Sequence, residues 1–324
     1  MEHGAGLDTV VTLPPRPAIV IAGPTASGKS GLALALAREF DGVVINADSM
    51  QVYDALPLLT ARPSEEDLGA APHRLYGVLA PSDLCSAARW GGLAAAEMEA
   101  AWNAGKLPIL AGGTGLYLRA VMEGLSPIPD IPEDVRAQAR ARLAEMGNAA
   151  FHALLASRDA EMAARLDPGN SQRLARAWEV LEATGRSLAR WQDEPRQGGV
   201  DARWFSLVLD PGRPRLYAQC DSRFAAMMAA GALDEVRAFE SLGLAPDLPI
   251  AKALGRRELA AHLAGEMDLE AAVAAAQQAT RNYAKRQGTW FRHQMMASEV
   301  IVEQFSESLK ATIFLKIRQH LLTA

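Results

Sequence analysis

Hydrophobic residues follow a strand-like pattern in the first part of the chain. Four short apolar runs bounded by turn residues are typical of buried parallel strands, at residues 18–22, 43–47, 108–111 and 204–209. Helical stretches at residues 29–40 and 86–104 separate the first three runs. This alternation predicts an α/β fold in which helices flank a parallel sheet.

The pattern becomes helical in the middle of the chain. From residue 133 to about residue 196 amphipathic periodicity replaces the strand-like runs, and one helix is expected over residues 171–191. A strand pattern returns at Trp204, and further helices are expected at 215–230, 233–242, 251–262 and 269–286. We therefore predict an all-helical insertion domain, a split core and a flexible N-terminal tail. The insertion covers residues 132–203, the core covers 18–131 and 204–324, and the tail covers 1–17.

The composition of the chain argues against several classes of protein. The chain has 324 residues, of which 49% are hydrophobic and 22% charged, as in ordinary globular proteins. No apolar run is long enough to cross a bilayer, and the N-terminus lacks a secretory signal, so we expect a cytoplasmic protein without membrane contact. Cys85 and Cys220 lie far apart and are expected to be reduced, and no histidine has metal-ligand spacing. A net charge of −5 argues against indiscriminate nucleic-acid binding but permits a local basic surface.

The sequence GPTASGKS is a phosphate-binding loop. It fits G-x-x-x-x-G-K-[ST] and lies between a predicted strand and a predicted helix. Its glycines let backbone amides turn towards phosphate oxygens, Lys29 adds a positive charge, and Ser30 is a possible Mg²⁺ ligand. The residues predicted to bind phosphate are Gly23, Pro24, Thr25, Ala26, Ser27, Gly28, Lys29 and Ser30.

Polar residues also follow the other predicted strands. Asp48 opens a polar run at the carboxyl end of its strand, where ligands bind in open α/β sheets, although a helix cap would explain it too. Asp210 precedes Pro211 and Gly212, which favours a turn or cap. The third strand ends in Gly112-Gly113-Thr114 without an acid, which permits close approach of another group or forms a plain tight turn.

Basic residues in the C-terminal half have two interpretations each. Arg215 and Arg223, two helical turns apart, suit either a departing phosphate or a solvated helix face. The stretch RNYAKRQGTWFRHQ at residues 281–294 mixes basic and aromatic side chains, as single-stranded nucleic-acid sites do. Aromatic residues packed in a core beside solvated arginines would give the same pattern.

Taken together, these stretches resemble the tRNA dimethylallyltransferases, also called tRNA isopentenyltransferases. The similarity runs in order from about residue 18 to residue 292 through AGPTASGKS, INADSMQVY, PILAGGTGLYL, DPGNSQRLARAWEV, DSRFAAMMAAGALDEV and TRNYAKRQGTWFR. That family has a P-loop, kinase-like core with a helical insertion. Some members carry a C-terminal zinc finger, but this chain lacks the cysteines for one and so resembles the bacterial type.

The resemblance implies a prenyl transfer to RNA. The dimethylallyl group of dimethylallyl diphosphate would pass to N6 of adenosine 37, beside the anticodon, in tRNAs that read codons beginning with U. Asp48 would take the N6 proton or hold the amine, with Thr114 at the reaction centre and Arg223 on the leaving diphosphate. Ser30 would hold Mg²⁺, and the expected enzyme is a monomer whose partners are dimethylallyl diphosphate and the tRNA anticodon stem-loop.

The resemblance also implies a set of tRNA-binding positions in both predicted domains. Arg173 and Arg176 lie one helical turn apart on the insertion and would follow the backbone of the anticodon stem. The residues matching the family's tRNA contacts are Asp48, Ser49, Met50, Gln51, Thr114, Arg136, Gln172, Arg173, Leu174, Ala175 and Arg176.

Three other functions use some of the same features. A nucleoside or small-molecule kinase would place ATP in the loop, but it gives no role to the cluster at residues 172–176. An isopentenyltransferase acting on free adenylate would not need the long insertion or the basic C-terminal stretch. A non-enzymatic P-loop regulator would bind tRNA without forming product.

Overall fold

The four predicted strands form the centre of a parallel sheet. The computed structural model describes residues 14–303 and 307–322. Within these residues the sheet has the order β3-β2-β4-β1-β5-β6, and each neighbouring pair is parallel. The strands are β1 Arg16–Ala22, β2 Gly42–Asn46, β3 His73–Arg74, β4 Leu107–Gly112, β5 Ala202–Leu209 and β6 Glu299–Ile301. The sequence pattern missed β3 and β6 because two or three residues are too few to show a period.

Helices occupy most of the remaining described chain, and three predicted ones were wrong in extent. The helix predicted over residues 269–286 continues to Gln294. The predicted helix over residues 171–191 is two helices, because Gly185 adopts a left-handed φ of 67° and ends the first. The predicted helix over 251–262 begins only at Arg256, since Ala253 is extended. No described helix is long and apolar enough to cross a membrane.

The helices are numbered in chain order. They are α1 Lys29–Glu39, α2 Glu65–Ala70, α3 Ala87–Asn103, α4 Gly115–Met122, α5 Glu133–Arg158, α6 Ala160–Ala164, α7 Ser171–Thr184, α8 Leu188–Gln192, α9 Arg213–Ala229, α10 Ala232–Glu240, α11 Arg256–Leu263, α12 Leu269–Gln294 and α13 Glu307–Leu322. A short 3₁₀ turn spans Ile250–Lys252, and Gly147 kinks α5.

Both faces of the sheet are covered, as uninterrupted apolar strands require. Val20 of β1 points into a core that α3, α4 and α12 complete, while Ile19 and Ile21 point into the core formed with α1 and α13. These three side chains are fully buried. Alternate residues of one strand therefore hold helices on opposite faces.

The chain divides into two compact units. One contains the sheet with its helices, and the other, Glu123–Gly199, contains α5 to α8. The helical unit has its own apolar core around Phe151, Leu155 and Trp178. Its bounds lie nine and four residues before the predicted 132 and 203. At the second bound, Val200 already donates a backbone hydrogen bond to Val121 beside the sheet. Of the predicted N-terminal tail, residues 1–13 lie outside the described residues, whereas Arg16 and Pro17 belong to β1.

Parallel pairing brings the predicted site residues to one edge of the sheet. The carboxyl ends of β1, β2, β4 and β5 lead into the phosphate loop, Asp48, Gly113 and Asp210 respectively. At this edge β4 passes very close to the end of β2. A Cβ atom at Gly112 would lie 2.1 Å from the carbonyl oxygen of Ala47, so only glycine fits there.

Gly112→Ala is expected to destabilise the fold by about 2 kcal/mol or more, because the new methyl group meets immobile backbone. Urea unfolding measures the loss. Gly92→Ala is the matched control: Gly92 lies inside α3, where a Cβ meets nothing within 4 Å, so alanine should stabilise by up to about 1 kcal/mol. Equal unfolding midpoints for the two variants would contradict this account of the β2–β4 contact.

Candidate active site

The phosphate loop connects β1 to α1 through left-handed backbone. Ala26 has a φ of 63° and Gly28 one of 93°, and α1 begins at the next residue. The amide of Ser27 donates to the carbonyl oxygen of Pro24 at 3.3 Å, which closes the loop on itself. The first turn of α1 adds the positive end of its dipole. The loop therefore has the backbone geometry of an anion site.

Lys29 folds back over this loop. Its Nζ donates to the carbonyl oxygen of Pro24 at 2.6 Å. Burial lowers the pKa of Lys29 to about 8; the Asp48 carboxylate raises it, and the Arg223 guanidinium lowers it further. The ammonium group is thus held by a neutral acceptor beside a second cation, an arrangement that an incoming anion would stabilise.

Arg223 reaches the loop from α9. Its Nη2 donates to Oγ1 of Thr25 at 2.5 Å. Burial lowers the pKa of Arg223, and the charge of Asp48 acts in the opposite direction. Arg215 is exposed near the start of the same helix, and no hydrogen bond or ion pair within the described chain joins it to the loop. Of the two arginines, Arg223 is the one that contacts the phosphate loop.

Asp48 is fixed by a neighbouring amide. Oδ1 of Asn46 accepts from the backbone N–H of Asp48 at 2.8 Å, and Nδ2 of Asn46 donates to the carbonyl oxygens of Asp48 and Leu75, each at 3.0 Å. Oδ1 of Asp48 accepts from the N–H of Met50 at 2.9 Å. A turn rather than a helix follows, so Asp48 is not a helix cap. Within the described chain no hydrogen bond engages its Oδ2.

Thr114 ties the end of β4 to this carboxylate segment. Its Oγ1 accepts from the N–H of Ser49 at 2.9 Å and donates to Oγ of Ser49 at 3.2 Å. Its own N–H donates to the carbonyl oxygen of Ala47 at 3.1 Å. The adjacent glycines are approached by groups of this chain, since a Cβ at Gly115 would lie 2.2 Å from the ring of Trp290. Thr114 thereby holds the residues on either side of Asp48.

Two parts of the site were not predicted as such. Gln287 of α12 contacts both the phosphate loop and β4, yet its partners lie 262 and 174 residues away, so no local pattern signals it. Tyr117 and Tyr283 are the second part. Burial raises the pKa of each phenol, and the charge of Asp48 raises it further.

The remaining predicted RNA-binding residues differ in exposure. Gln172 and Arg173 are exposed at the start of α7, and Leu174 is fully buried in the core of the helical unit. Arg176 is partly buried and pairs with Glu179 at 3.4 Å. Ala175 is buried within α7, and Arg136 is partly buried within α5, 3.9 Å from Glu133. Met50 and Gln51 are partly buried beside the sheet. The side chain of Gln51 donates to the carbonyl oxygens of Thr60 and Ala61.

Arg292 and Asp210 form an ion pair behind the phosphate loop. The Nε–Oδ2 distance is 3.2 Å, and both residues line a cavity of about 150 Å³ with Pro24 and Phe291. Lys285, Arg286 and Trp290 line an open groove of about 440 Å³ on α12. In the stretch 281–294, Phe291 is buried in the core and Lys285 is exposed to solvent, so this stretch contributes both to packing and to surface charge.

Comparisons with known proteins give one consistent family. A family model described as IPP transferase matches residues 51–294, and one described as isopentenyl transferase matches residues 17–79. A tRNA dimethylallyltransferase of Paramagnetospirillum magneticum is 79% identical over 308 residues, 95% of this chain and 98% of that protein. One of Rhodospirillum centenum is 58% identical over 284 residues, 87% and 90% of the respective chains.

Solved structures agree with these relatives. A tRNA isopentenylpyrophosphate transferase of Bacillus halodurans has a TM-score of 0.66 and 31% identity, covering 94% of this chain and 97% of that one. A eukaryotic dimethylallyltransferase acting on tRNA has a TM-score of 0.72 and 25% identity, covering 85% and 70%. The likeness therefore extends over both the sheet and the helical unit.

Binding of an alkyl diphosphate is expected to weaken above about pH 8, because the lowered pKa of Lys29 lets the ammonium lose its proton there. The ligand's own charge is constant above about pH 7. Its Kd should rise by up to about tenfold per pH unit, measured by titration calorimetry. Lys29→Arg is the control and should show a flatter profile, since guanidinium does not titrate in this range. A flat profile for the native protein would rule out Lys29 as the titrating group.

Proposed function

This chain belongs to the IPP transferase family, and from that premise we propose that it prenylates tRNA: it transfers the dimethylallyl group of dimethylallyl diphosphate to N6 of adenosine 37. The observation that carries the proposal is the edge of the sheet where Lys29 and Arg223 lie at a phosphate loop beside Asp48. An anionic leaving group and a proton-accepting carboxylate are the two requirements of amine alkylation by a diphosphate ester. The acceptors we propose are tRNAs that read codons beginning with U.

Departure of the diphosphate is the step that the phosphate loop favours. As the C1–O bond breaks, negative charge grows on the diphosphate oxygens. The loop amides, Lys29 and Arg223 are already oriented and partly removed from water, so they stabilise that charge without reorganising. They bind the transition state more strongly than the intact donor, which is the condition for catalysis.

Mg²⁺ fits the phosphate loop as a partner of the donor. Among the described residues no group of three or more histidine, cysteine or acidic side chains forms a metal cage. Ser30, exposed at the start of α1, offers one hydroxyl oxygen, and the diphosphate offers the rest. Mg²⁺ prefers such oxygen donors, with few protein ligands and substrate phosphates. When bound, it would neutralise part of the diphosphate charge.

Asp48 receives the proton that the acceptor loses. The N6 lone pair attacks C1, the C1–O pair leaves with the diphosphate, and the N6 proton passes to the carboxylate of Asp48 or is held by it. Its Oδ1 is held by Met50, and Thr114 fixes the neighbouring Ser49, so the carboxylate is oriented before substrate arrives. Ser49, Met50 and Gln51 would contact the extruded adenosine or its neighbours.

The helical unit is the proposed tRNA-binding domain. At the N-terminus of α7 the Asn170 side chain accepts from the N–H of Arg173, and the side chains of Gln172 and Arg173 are exposed. The positive end of the helix dipole and these polar side chains suit a backbone phosphate. Leu174 and Ala175 are buried and the N–H of Leu174 donates to the carbonyl oxygen of Asn170, so these two residues would act by holding α7 in place. Arg136 and Arg176, each close to a glutamate, would turn towards the RNA backbone. Adenosine 37 lies in a loop, where extruding a base costs less than in a duplex.

One chain supplies every residue named for the reaction, so we propose that the enzyme acts as a monomer. We also propose that it works in the cytoplasm, where its RNA substrate is made. ATP has the same polyphosphate chemistry as the donor, so the kinase alternative has to be tested directly.

A labelling assay separates the candidate functions. The native protein is incubated with Mg²⁺, labelled dimethylallyl diphosphate and unmodified tRNA, and in parallel with AMP as acceptor or with ATP as donor. Label at adenosine 37 supports the proposal. Label in AMP alone, phosphate transfer from ATP alone, or tRNA binding without product would each favour one of the alternative functions and overturn the proposed tRNA prenylation.

Asp48→Asn is expected to lower the transfer rate at least about 10²-fold, because the amide cannot accept the N6 proton. It keeps the oxygen that accepts from Met50, so the KM for tRNA should stay within a few-fold. Asp54→Asn, whose side chain is 73% exposed and pairs with Arg62, is the control and should be unaffected. A rate close to native for Asp48→Asn would exclude its role as base.

Arg173→Ala is expected to raise the KM for tRNA several-fold and leave the rate at saturation unchanged, because a phosphate contact positions the RNA without touching the reacting atoms. The slope of log K against log salt should fall by about one. Lys106→Ala removes one charge at the opposite edge of the sheet, where Lys106 pairs with Asp41, and should change neither value. Identical salt slopes in all three proteins would remove Arg173 from the interface.

A further inference from the structure

Gln287 is a buried amide with both ends engaged. It lies within α12, and 6% of its surface is exposed. Its Oε1 accepts from the backbone N–H of Thr25 at 2.8 Å, and its Nε2 donates to the carbonyl oxygen of Gly113 at 2.8 Å. Turning the amide over would place donor against donor and acceptor against acceptor, so these two partners determine its orientation.

The surroundings of Gln287 are shaped for this amide. A Cβ at Gly113 would lie 2.3 Å from its Nε2, so the absence of a side chain there makes room for it. Burying an amide is unfavourable unless both its donor and its acceptor are satisfied, and an apolar side chain of equal size would fill the volume without that requirement. Packing alone therefore does not explain a glutamine at this position.

The two loops that Gln287 joins hold the two halves of the proposed reaction. Thr25 is the residue whose hydroxyl accepts from Arg223 on the leaving-group side. Gly113 precedes Thr114, which binds Ser49 beside Asp48 on the acceptor side. Hydrogen bonds and peptide links thus form a continuous chain from the Arg223 guanidinium through Gln287 to Ser49, the residue next to Asp48.

We propose that Gln287 is a positioning residue that sets the distance between the leaving diphosphate and the acceptor amine. This inference rests on the proposed prenyl transfer. Displacement at C1 needs the amine within about 3–3.5 Å and in line with the breaking bond, and a shift of about 1 Å is enough to cost about 10²-fold in rate. Each loop keeps its own ligand contacts without Gln287, so loss of the amide lowers the rate of the chemical step and leaves binding nearly unchanged.

The test compares Gln287→Met, Gln287→Glu and the native protein in single turnovers with both substrates saturating. For Gln287→Met we expect a rate about 30-fold lower or more, with each Kd within threefold of native. Gln287→Glu keeps the acceptor for Thr25 but turns an anionic oxygen towards the carbonyl of Gly113. Its rate should also be low at about pH 7.5 and should recover towards pH 6, where protonation restores the donor.

Two controls separate positioning from folding. Gln278→Glu makes the same substitution at an exposed site on α12 and should keep the native rate within twofold. Thermal unfolding must show all variants folded at the assay temperature, and amide exchange at Thr25 should become faster in Gln287→Met. Raised Kd values at an unchanged rate, or a native rate in Gln287→Met, would overturn this inference alone. No label transfer by the native protein would overturn the proposed function together with it.

Discussion

The parallel pairing of β1 with β4 on one side and β5 on the other is the constraint on which the site depends. The register places Ala22 of β1 beside Gly112 of β4 and Val208 of β5, so the loops that follow emerge at one edge. The β2–β4 pairing brings Asp48 to the same edge. Gly112 and Gly113 at the end of β4 have no side chains, so the backbone of Ala47 and the amide of Gln287 can approach them closely. Segments that are far apart in sequence therefore come into contact at this edge.

The two partly buried cations at this edge have neutral oxygens as hydrogen-bond partners rather than carboxylates. Lys29 is held by a backbone carbonyl, and Arg223 by a hydroxyl, although burial disfavours both charges. By contrast, Arg256, away from the site, pairs with the carboxylate of Glu240 at 2.7 Å. Neutral oxygens orient both cations, so their charges would be available to the proposed diphosphate, as in a preformed site that stabilises a transition state.

The carboxylate side uses a complementary arrangement of neutral groups. The side-chain amide of Asn46 hydrogen-bonds to the backbone N–H and carbonyl oxygen of Asp48, and the hydroxyl of Thr114 accepts from the N–H of Ser49. Burial raises the pKa of the Tyr117 and Tyr283 phenols, and the charge of Asp48 adds to that shift. The network around Asp48 therefore consists of neutral polar groups, which limit its motion.

The sequence by itself determined the parallel α/β core and the phosphate loop, because strand and helix periods and the loop glycines are local properties. It also indicated that Asp48 lies at a strand end. It did not determine that α7 ends at Gly185, since apolar spacing continues across the break. Nor did it show that Arg223 rather than Arg215 reaches the loop, or that Gln287 joins Thr25 to Gly113. Those outcomes depend on contacts between distant segments, and only tertiary packing brings such segments together.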